Sequence, residues 1–234
     1  MANLAIIPAR GGSKRIPRKN IKSFLGKPII AYSIEAALNS KLFDEVMVST
    51  DDDEIAMIAK KYGAKVPFLR SKDNANDFAI LADVVEEVLV KYSNENKNFE
   101  NICCILPTAP FVTPSKIIEG YDKLIEGEFV SVFPVLEFSF PIQRSLKIEG
   151  NKVVMVWNEY LNTRSQDLEP RYHDSGQFYW LKSIPFSKEQ KMFTDNSGAI
   201  VISELHAQDI DTENDWKLAE IKYKLMLNDQ ENNL

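Results

Sequence analysis

The stretch that decides the fold lies at residues 4–20 and reads LAIIPARGGSKRIPRKN. Its apolar beginning, Leu4 to Ile7, is typical of a strand buried on both faces, and this strand leads directly into Gly11 and Gly12. Paired glycines let backbone N–H groups turn toward an anion. The stretch therefore predicts an anion site at the end of the first strand of a sheet.

Six cationic side chains surround this glycine pair, although the 234-residue chain carries a formal charge of −6. They are Arg10, Lys14, Arg15, Arg18, Lys19 and Lys22, which we call the basic loop. The spacings of dinucleotide-binding and P-loop motifs are absent, so the loop favours a triphosphate whose charge is neutralised during a reaction. The alternative is a solvated basic turn, because charge runs usually lie on the surface.

Composition predicts one α/β domain over residues 1–229, followed by a frayed tail at 230–234. Apolar residues make up 44% of the chain, enough for a sizeable core. No apolar run reaches membrane-spanning length, and no secretory signal begins the chain, so we expect a cytoplasmic protein without membrane or nucleic-acid partners. Cys103 and Cys104 lie in an apolar run and are expected to be buried hydrophobic residues.

Strand and helix patterns alternate from residue 3 to about 135, which is typical of a mostly parallel sheet flanked by helices. The predicted strands are 4–7, 45–49, 65–69, 102–106 and 129–135, followed by 177–181 and 199–202. The predicted helices are 28–38, 52–62, 79–92, 114–125 and 212–227. Ligands of such sheets bind beyond the carboxyl ends of the strands, where the basic loop begins.

Residues 136–175 interrupt this alternation, and we call them the excursion. A turn at Glu149-Gly150-Asn151 predicts a β-hairpin between strands at 146–148 and 153–156. The segment is too short for a core of its own. We therefore expect it to pack on a second copy of the chain and form a homodimer.

Asp209 and Asp211 precede the last predicted helix and point to the same side of an extended segment. Hard oxygen ligands in small number suit Mg²⁺, which shares phosphate oxygens of a substrate. The alternative is that Asp211 supports the helix N-terminus while Asp209 is solvated. A phosphate loop elsewhere in the chain favours the metal site, because phosphoryl chemistry needs both an anion clamp and a metal.

Three further groups carry polar side chains. Arg70 ends a predicted strand, and its residues alone favour a surface ion pair with Asp77 or Asp83. The prolines of Pro107-Thr108-Ala109-Pro110 predict a rigid turn that presents Thr108 to a base or sugar. Polar and aromatic residues between 164 and 180 suit a decorated sugar. His173 is not expected to be a base, and acyl-enzyme or zinc motifs are absent.

Taken in order, the segments 7–21, 49–52, 107–110, 164–168 and 209–212 resemble the cytidylyltransferases that activate 2-keto sugar acids, the relatives of CMP-sialic acid synthetase. The resemblance covers nearly the whole chain. It implies a Rossmann-like nucleotidyltransferase fold, a homodimer, and the use of CTP with Mg²⁺ to make a CMP-sugar for bacterial surface glycans or flagellin. Segments 140–144 and 172–180 most resemble the pseudaminic acid branch, and sialic and legionaminic acids are the alternatives.

The resemblance also implies roles for individual residues. Arg10, Lys19 and Asp211 would be catalytic, and Asp209 with Asp211 would hold Mg²⁺. Nucleotide-binding residues would be Ala9, Arg10, Gly11, Gly12, Ser13, Lys19, Asn20, Arg70, Ala79 and Thr108. Sugar-binding residues would be Gln143, Arg144, Gln177 and Tyr179, with Arg164 from the neighbouring subunit.

Two other classes of protein remain as alternatives. A nicotinamide oxidoreductase needs the missing G-x-G-x-x-G spacing. A non-catalytic nucleotide or RNA binder would keep the basic loop without needing Asp209 and Asp211. Release of pyrophosphate from CTP in the presence of a keto sugar acid separates the enzyme from such a binder.

Overall fold

The computed structural model describes the backbone of residues 1–232 and the side chains of residues 1–228. Most strands follow the predicted apolar runs closely. The strands are β1 Asn3–Pro8, β2 Ser23–Phe24, β3 Lys27–Pro28, β4 Glu45–Ser49, β5 Asn101–Ile105, β6 Ser131–Glu137, β7 Leu146–Glu149, β8 Lys152–Met155, β9 Tyr172–Asp174, β10 Phe178–Lys182 and β11 Ser197–Val201.

Five of the helices match predicted ones, and α5 was not predicted. The helices are α1 Ile29–Ser40, α2 Asp53–Lys61, α3 Leu81–Asn94, α4 Pro114–Glu126, α5 Ser183–Glu189 and α6 Glu213–Asn232. The last helix continues beyond Leu227, where the sequence analysis ends it. The predicted frayed tail at 230–234 thus begins inside this helix, and residues 233–234 lie outside the described part of the chain. Within residues 1–232, no helix is both long and apolar enough to cross a membrane.

The main sheet has seven strands in the order β11-β6-β10-β5-β1-β4, with β9 paired to the far end of β6. All strands of this path except β10 run parallel, and β10 is antiparallel to both of its neighbours. The carboxyl ends of β1, β4, β5 and β6 therefore share one edge with the start of β10. The predicted α/β class with a mostly parallel sheet is confirmed.

Helices cover both faces of this sheet, because each central strand is apolar on both sides. Cys103 faces the core beneath α1, α2 and α4, whereas the adjacent Cys104 faces the core beneath α3 and α5. Both thiols are fully buried and free, as the sequence predicts. A third cluster packs Trp216 of α6 against Phe24 and Tyr32, which places the start of α6 beside the basic loop.

The predicted strand at 65–69 is wrong. Of these residues, only Lys65 pairs with the sheet, through an isolated bridge to Met47 of β4, which is the edge strand. Pro67 lacks a backbone N–H and cannot continue a ladder. Apolar residues here instead pack as a loop, with Val66 against one core and Phe68 against the other.

The excursion contains the predicted hairpin, whose strands β7 and β8 form a separate two-stranded sheet. Its return strand, β9, was not predicted and pairs with Val135–Glu137 of β6. Tyr172 and His173 do not follow a clear apolar alternation, so the strand arises from this pairing rather than from local preference.

Candidate active site

The basic loop follows β1 at the carboxyl ends of the parallel strands. Hydrogen bonds to backbone carbonyl groups hold it in place. The Ala9 N–H donates to the carbonyl of Ser49 at 2.9 Å, and the Asn20 amide donates to the carbonyl of Arg10 at 2.9 Å. Asn20 is buried, so it holds the shape of the loop. Asn20, a predicted nucleotide-binding residue, thus braces the loop.

The two glycines of the loop differ. The Gly11 N–H donates to Asp51 Oδ1 at 2.9 Å, and a Cβ at this position would lie 2.8 Å from Asp52 Oδ2. Gly12 instead borders open space, and Ser13 beside it is half-buried. Gly11 therefore permits close packing against the start of α2, and Gly12 is the better placed of the two to approach a ligand.

Arg10 and Lys14 converge on one carboxylate. Arg10 Nη1 donates to Asp77 Oδ1 at 2.8 Å and to the Asn76 carbonyl at 2.9 Å, and Lys14 forms an ion pair with Asp77. Hydrogen bonds from Lys14 and then Arg10 hold the pKa of Asp77 below its usual value. These contacts place the segment 71–80 over the start of the basic loop.

Arg15 and Lys19 converge on the predicted metal site. Arg15 Nη1 lies 2.8 Å from Asp211 Oδ2. Lys19 Nζ donates to the Ile210 carbonyl at 2.6 Å and lies 3.6 Å from Asp211 Oδ1. The structure thus brings the basic loop and the acidic pair, Asp209 and Asp211, together from opposite ends of the chain.

The surroundings of Asp209 disfavour its charged form. Partial burial raises the pKa of Asp209, and the nearby charge of Asp211 raises it further. The Asp209 carboxylate is solvent-accessible and accepts no side-chain hydrogen bond from the described residues. Among the side chains of residues 1–228, no group of three or more possible metal ligands is assembled.

The structure rules against Asp211 as a helix cap. The carboxylate of Asp215 accepts hydrogen bonds from the backbone N–H groups of Thr212 at 2.7 Å and Asp211 at 3.1 Å. The Thr212 hydroxyl in turn accepts from the Asp215 N–H at 3.3 Å. These two residues form a capping box, so the helix does not need the Asp211 carboxylate as a cap.

Arg18 and Lys22 anchor the loop to the helices beside it. Arg18 forms ion pairs with Asp52 and Glu54 at the start of α2, each at 2.5 Å. Its hydrogen bonds lower the pKa of Asp52 to about 2. Lys22 lies 2.7 Å from Glu213 and 4.6 Å from the centre of the Trp216 ring.

The predicted surface ion pair of Arg70 is wrong. The side chain is buried against the end of β4, where Nε donates to Ser49 Oγ at 3.1 Å and Nη2 donates to the Ser49 carbonyl at 2.5 Å. Desolvation lowers the pKa of this guanidinium. The hydroxyl and the backbone carbonyl of Ser49 hold Arg70 in place of a carboxylate. Asp77 pairs with Arg10 and Lys14 instead. Ala79 and Thr108 are half-buried at the same edge.

Gln177 and Tyr179 lie where β9 gives way to β10. Gln177 is buried, and its side-chain amide donates to the backbone carbonyl of His206 at 2.6 Å. The backbone carbonyl of Gln177 accepts from the Leu106 N–H at 2.8 Å. The Tyr179 hydroxyl donates to Asp174. Burial raises the pKa of Tyr179, and this hydrogen bond raises it further. Both residues thus line the edge that carries the basic loop.

The other predicted sugar residues make their polar contacts inside the excursion. Gln143 is buried and donates to the Glu169 carbonyl at 2.8 Å, and Arg144 lies 3.4 Å from Ser165 Oγ. Arg164 forms a two-point ion pair with Asp167, at 2.6 and 3.0 Å. Within the described residues, no ion pair or hydrogen bond joins these three side chains to the basic loop.

Sequence reasoning missed three carboxylates that organise the site. Asp51 holds Gly11, Asp77 holds Arg10 and Lys14, and Asp174 holds Tyr179. Asp51 directly follows β4, so the rule that ligands bind beyond carboxyl ends could have pointed to it. No local pattern distinguishes Asp77 or Asp174 from solvated acids.

Comparison with known proteins shows the family to which the chain belongs. The model of a family described as cytidylyltransferase matches residues 4–226. The pseudaminic acid cytidylyltransferase of Campylobacter jejuni is 45% identical over 96% of this chain and 97% of its own. The CMP-N,N'-diacetyllegionaminic acid synthase of Legionella pneumophila is 35% identical over 99% of both chains.

Among solved structures, CMP:2-keto-3-deoxy-manno-octonic acid synthetase complexed with CTP superposes with a TM-score of 0.69 at 18% identity, covering 97% of this chain and 100% of that one. This likeness shows a shared fold, as the resemblance implied. The family model and the near-complete relatives go further than the fold. The chain belongs to the cytidylyltransferase family of nucleotidyltransferases.

Proposed function

We propose that this cytidylyltransferase transfers the CMP group of CTP to a nonulosonic acid, with pseudaminic acid as the acceptor. The similarity that carries the proposal is the 45% identity, over nearly both full lengths, to an enzyme named for that acceptor. In the reaction, the anomeric 2-hydroxyl of the sugar acid loses its proton and bonds to the α-phosphorus of CTP. The bond to the β-phosphate oxygen breaks, and pyrophosphate leaves.

The basic loop neutralises the charge that develops on the leaving pyrophosphate. Arg10 and Lys19 lie on the two sides of the loop, Arg10 toward segment 71–80 and Lys19 toward Asp211. Donors held in place before the reaction stabilise such charge most effectively. The hydrogen bonds of the Ala9 N–H and of the Asn20 side-chain amide supply that rigidity.

The residues of the acidic pair fit a magnesium ion. Two carboxylates at one surface, one of them with its pKa raised by burial and by the other's charge, favour a divalent cation that relieves their repulsion. Asp209 and Asp211 would hold this ion. It would place positive charge beside the α-phosphate and lower the pKa of the attacking hydroxyl. Arg15 and Lys19 form ion pairs with Asp211 and thereby offset part of its negative charge.

Acceptor recognition falls to the polar residues around β9, β10 and the excursion. Gln177 and Tyr179 are buried at the edge of the sheet and are held by His206 and Asp174. Such fixed side chains suit the carboxylate and acyl groups of the acceptor. Gln143 and Arg144 address the same groups from the excursion.

The excursion favours a homodimer. In the β7–β8 hairpin, Ile148 lies opposite Val153 and Leu146 opposite Met155, so one face of this two-stranded sheet is apolar. An isolated hairpin is at best marginally stable in water. The exposed apolar side chains of the excursion are Phe138, Phe140, Leu146, Ile148, Val153, Val156, Trp157, Leu161 and Tyr172. A second copy covering them brings Arg164 near the neighbouring site.

We place this reaction in the cytoplasm, where it supplies an activated sugar for bacterial surface glycans or flagellin. The test is pyrophosphate release by purified protein with CTP, Mg²⁺ and each of pseudaminic, legionaminic and sialic acids. Fastest turnover with pseudaminic acid supports the assignment. Preference for a legionaminic acid, to which the 35% identity points, would reassign the acceptor and leave the chemistry intact. Binding of CTP without turnover of any acceptor would contradict the proposal.

A further inference from the structure

Each cation of the basic loop faces a carboxylate of its own chain. Besides the pairs of Arg15 and Lys19 with Asp211, and those of Arg18 and Lys22 with α2 and α6, Arg10 and Lys14 share Asp77. Asp211 belongs to the proposed metal site, and the α2 and α6 pairs brace the loop. Asp77 has neither role, so its position calls for a separate explanation.

The segment that carries Asp77 is firmly held at its base and open at its tip. Glu87 of α3 accepts from the backbone N–H and hydroxyl of Ser71, at 2.8 and 2.7 Å, and from the Asn74 amide at 2.6 Å. At the tip, Phe78 is 91% exposed. Asp77 therefore projects from an anchored loop whose end can move without loss of buried packing.

The contact between this tip and the basic loop is open to solvent. Side-chain exposure is 36% for Arg10, 40% for Asp77 and 81% for Lys14. Exposed ion pairs are weak, because water and salt screen them. A polyphosphate carries several negative charges and can accept bidentate bonds from arginine, so it can replace a single carboxylate on these cations.

We infer that Asp77 occupies the phosphate position of the basic loop in the free enzyme and competes with CTP and pyrophosphate for Arg10 and Lys14. The carboxylate keeps both cations aimed at one point before the nucleotide arrives. It returns to them as pyrophosphate departs, which weakens product binding. Asp77 is thus a positioning residue that sets nucleotide affinity, and this role rests on the proposed use of CTP.

The test compares Asp77→Asn with the parent and with Asp73→Asn. Asp73 is an exposed acid of the same loop, and its carboxylate makes no ion pair or hydrogen bond within the described residues. Dissociation constants for CTP and inorganic pyrophosphate are measured by calorimetry, and the constant for cytidine by competition. For Asp77→Asn we expect the first two to fall about three- to tenfold, as the loss of weak competing ion pairs implies. Cytidine binding and the Asp73→Asn variant should match the parent.

In steady-state kinetics, Asp77→Asn should lower KM for CTP without raising kcat and should strengthen inhibition by pyrophosphate. Unchanged or weaker binding of CTP and pyrophosphate, at the parent's melting temperature, would overturn the inference, and so would an equal gain in Asp73→Asn. Asp77→Ser repeats the test without an amide. Because the binding measurements need no acceptor sugar, failure of the proposed reaction would be seen separately, as absence of product from the parent.

Discussion

The basic loop and the excursion use their polar side chains in opposite ways. In the basic loop, each cation reaches a carboxylate of another segment, as far away along the chain as Asp211 is from Arg15. In the excursion, Arg164 pairs with Asp167 three residues along, while large apolar side chains such as Phe140 remain exposed. The first region thus pairs its charges with distant segments of the same chain, and the second leaves a large apolar surface exposed.

Substitutions in the basic loop are expected to have the largest effect on turnover, and they test whether this region acts as described. Arg10→Ala and Lys19→Ala should each lower turnover about 100-fold or more, because each removes a preorganised partner of the transition-state charge. Pyrophosphate release at saturating CTP is the measurement. Lys22→Ala is the matched control, since it removes the same charge from the same loop at a position paired with Glu213. Near-parental turnover in both test variants would show the loop to be a solvated turn.

The next prediction separates metal binding from helix capping at the start of α6. Asp211→Asn should lose turnover about 100-fold and need more Mg²⁺, while keeping the parental melting temperature. Thr212→Ala should do the reverse, because it removes one half of the capping box and costs about 1 kcal/mol of stability. Titration of pyrophosphate release with Mg²⁺, together with thermal unfolding, distinguishes the two. Parental rate and metal requirement in Asp211→Asn would make that residue structural.

The excursion is tested by two isoleucines of similar exposure. The parent should sediment as a dimer at micromolar concentration. Ile148→Asp places a charge on the apolar face of the hairpin, where the side chain is 77% exposed, and should shift the protein to a monomer. Ile184→Asp is the control, because Ile184 is 73% exposed on α5, outside the excursion, and should leave the dimer intact. A monomeric parent with full activity would contradict the dimer and any role of Arg164 across it.

The smallest effect concerns the brace between the loop and α2. Asp52→Asn keeps an N-cap for the Ile55 N–H but loses the ion pair with Arg18, so about 0.5–1 kcal/mol of stability should be lost at neutral pH. The pKa of Asp52 is lowered to about 2 in the folded state, so its contribution is present above the unfolded pKa and fades as the pH falls toward 2. Unfolding free energies of parent and variant should therefore converge as the pH falls from about 5 to about 2. A constant difference would assign the loss to packing.

Much of the fold was predictable because its signals are local. Strand β4 coincides with the predicted run at 45–49, and each predicted helix exists with shifts of a few residues at its ends. Two of the failures have different causes. Residues 65–69 are apolar but contain Pro67, and β9 gains its strand geometry from β6 rather than from its own composition.

The sequence by itself determined most of the elements, the family resemblance and the place of the basic loop at the end of β1, because apolar periodicity, glycine turns and clustered charge are properties of neighbouring residues. Tertiary structure alone decided which carboxylate meets which cation. The crossovers of the parallel sheet bring Arg10 to Asp77 and Arg15 to Asp211, and bury Arg70 against Ser49 instead of a surface acid. Ion-pair partners depend on distance in space, and separation along the chain carries almost no information about it.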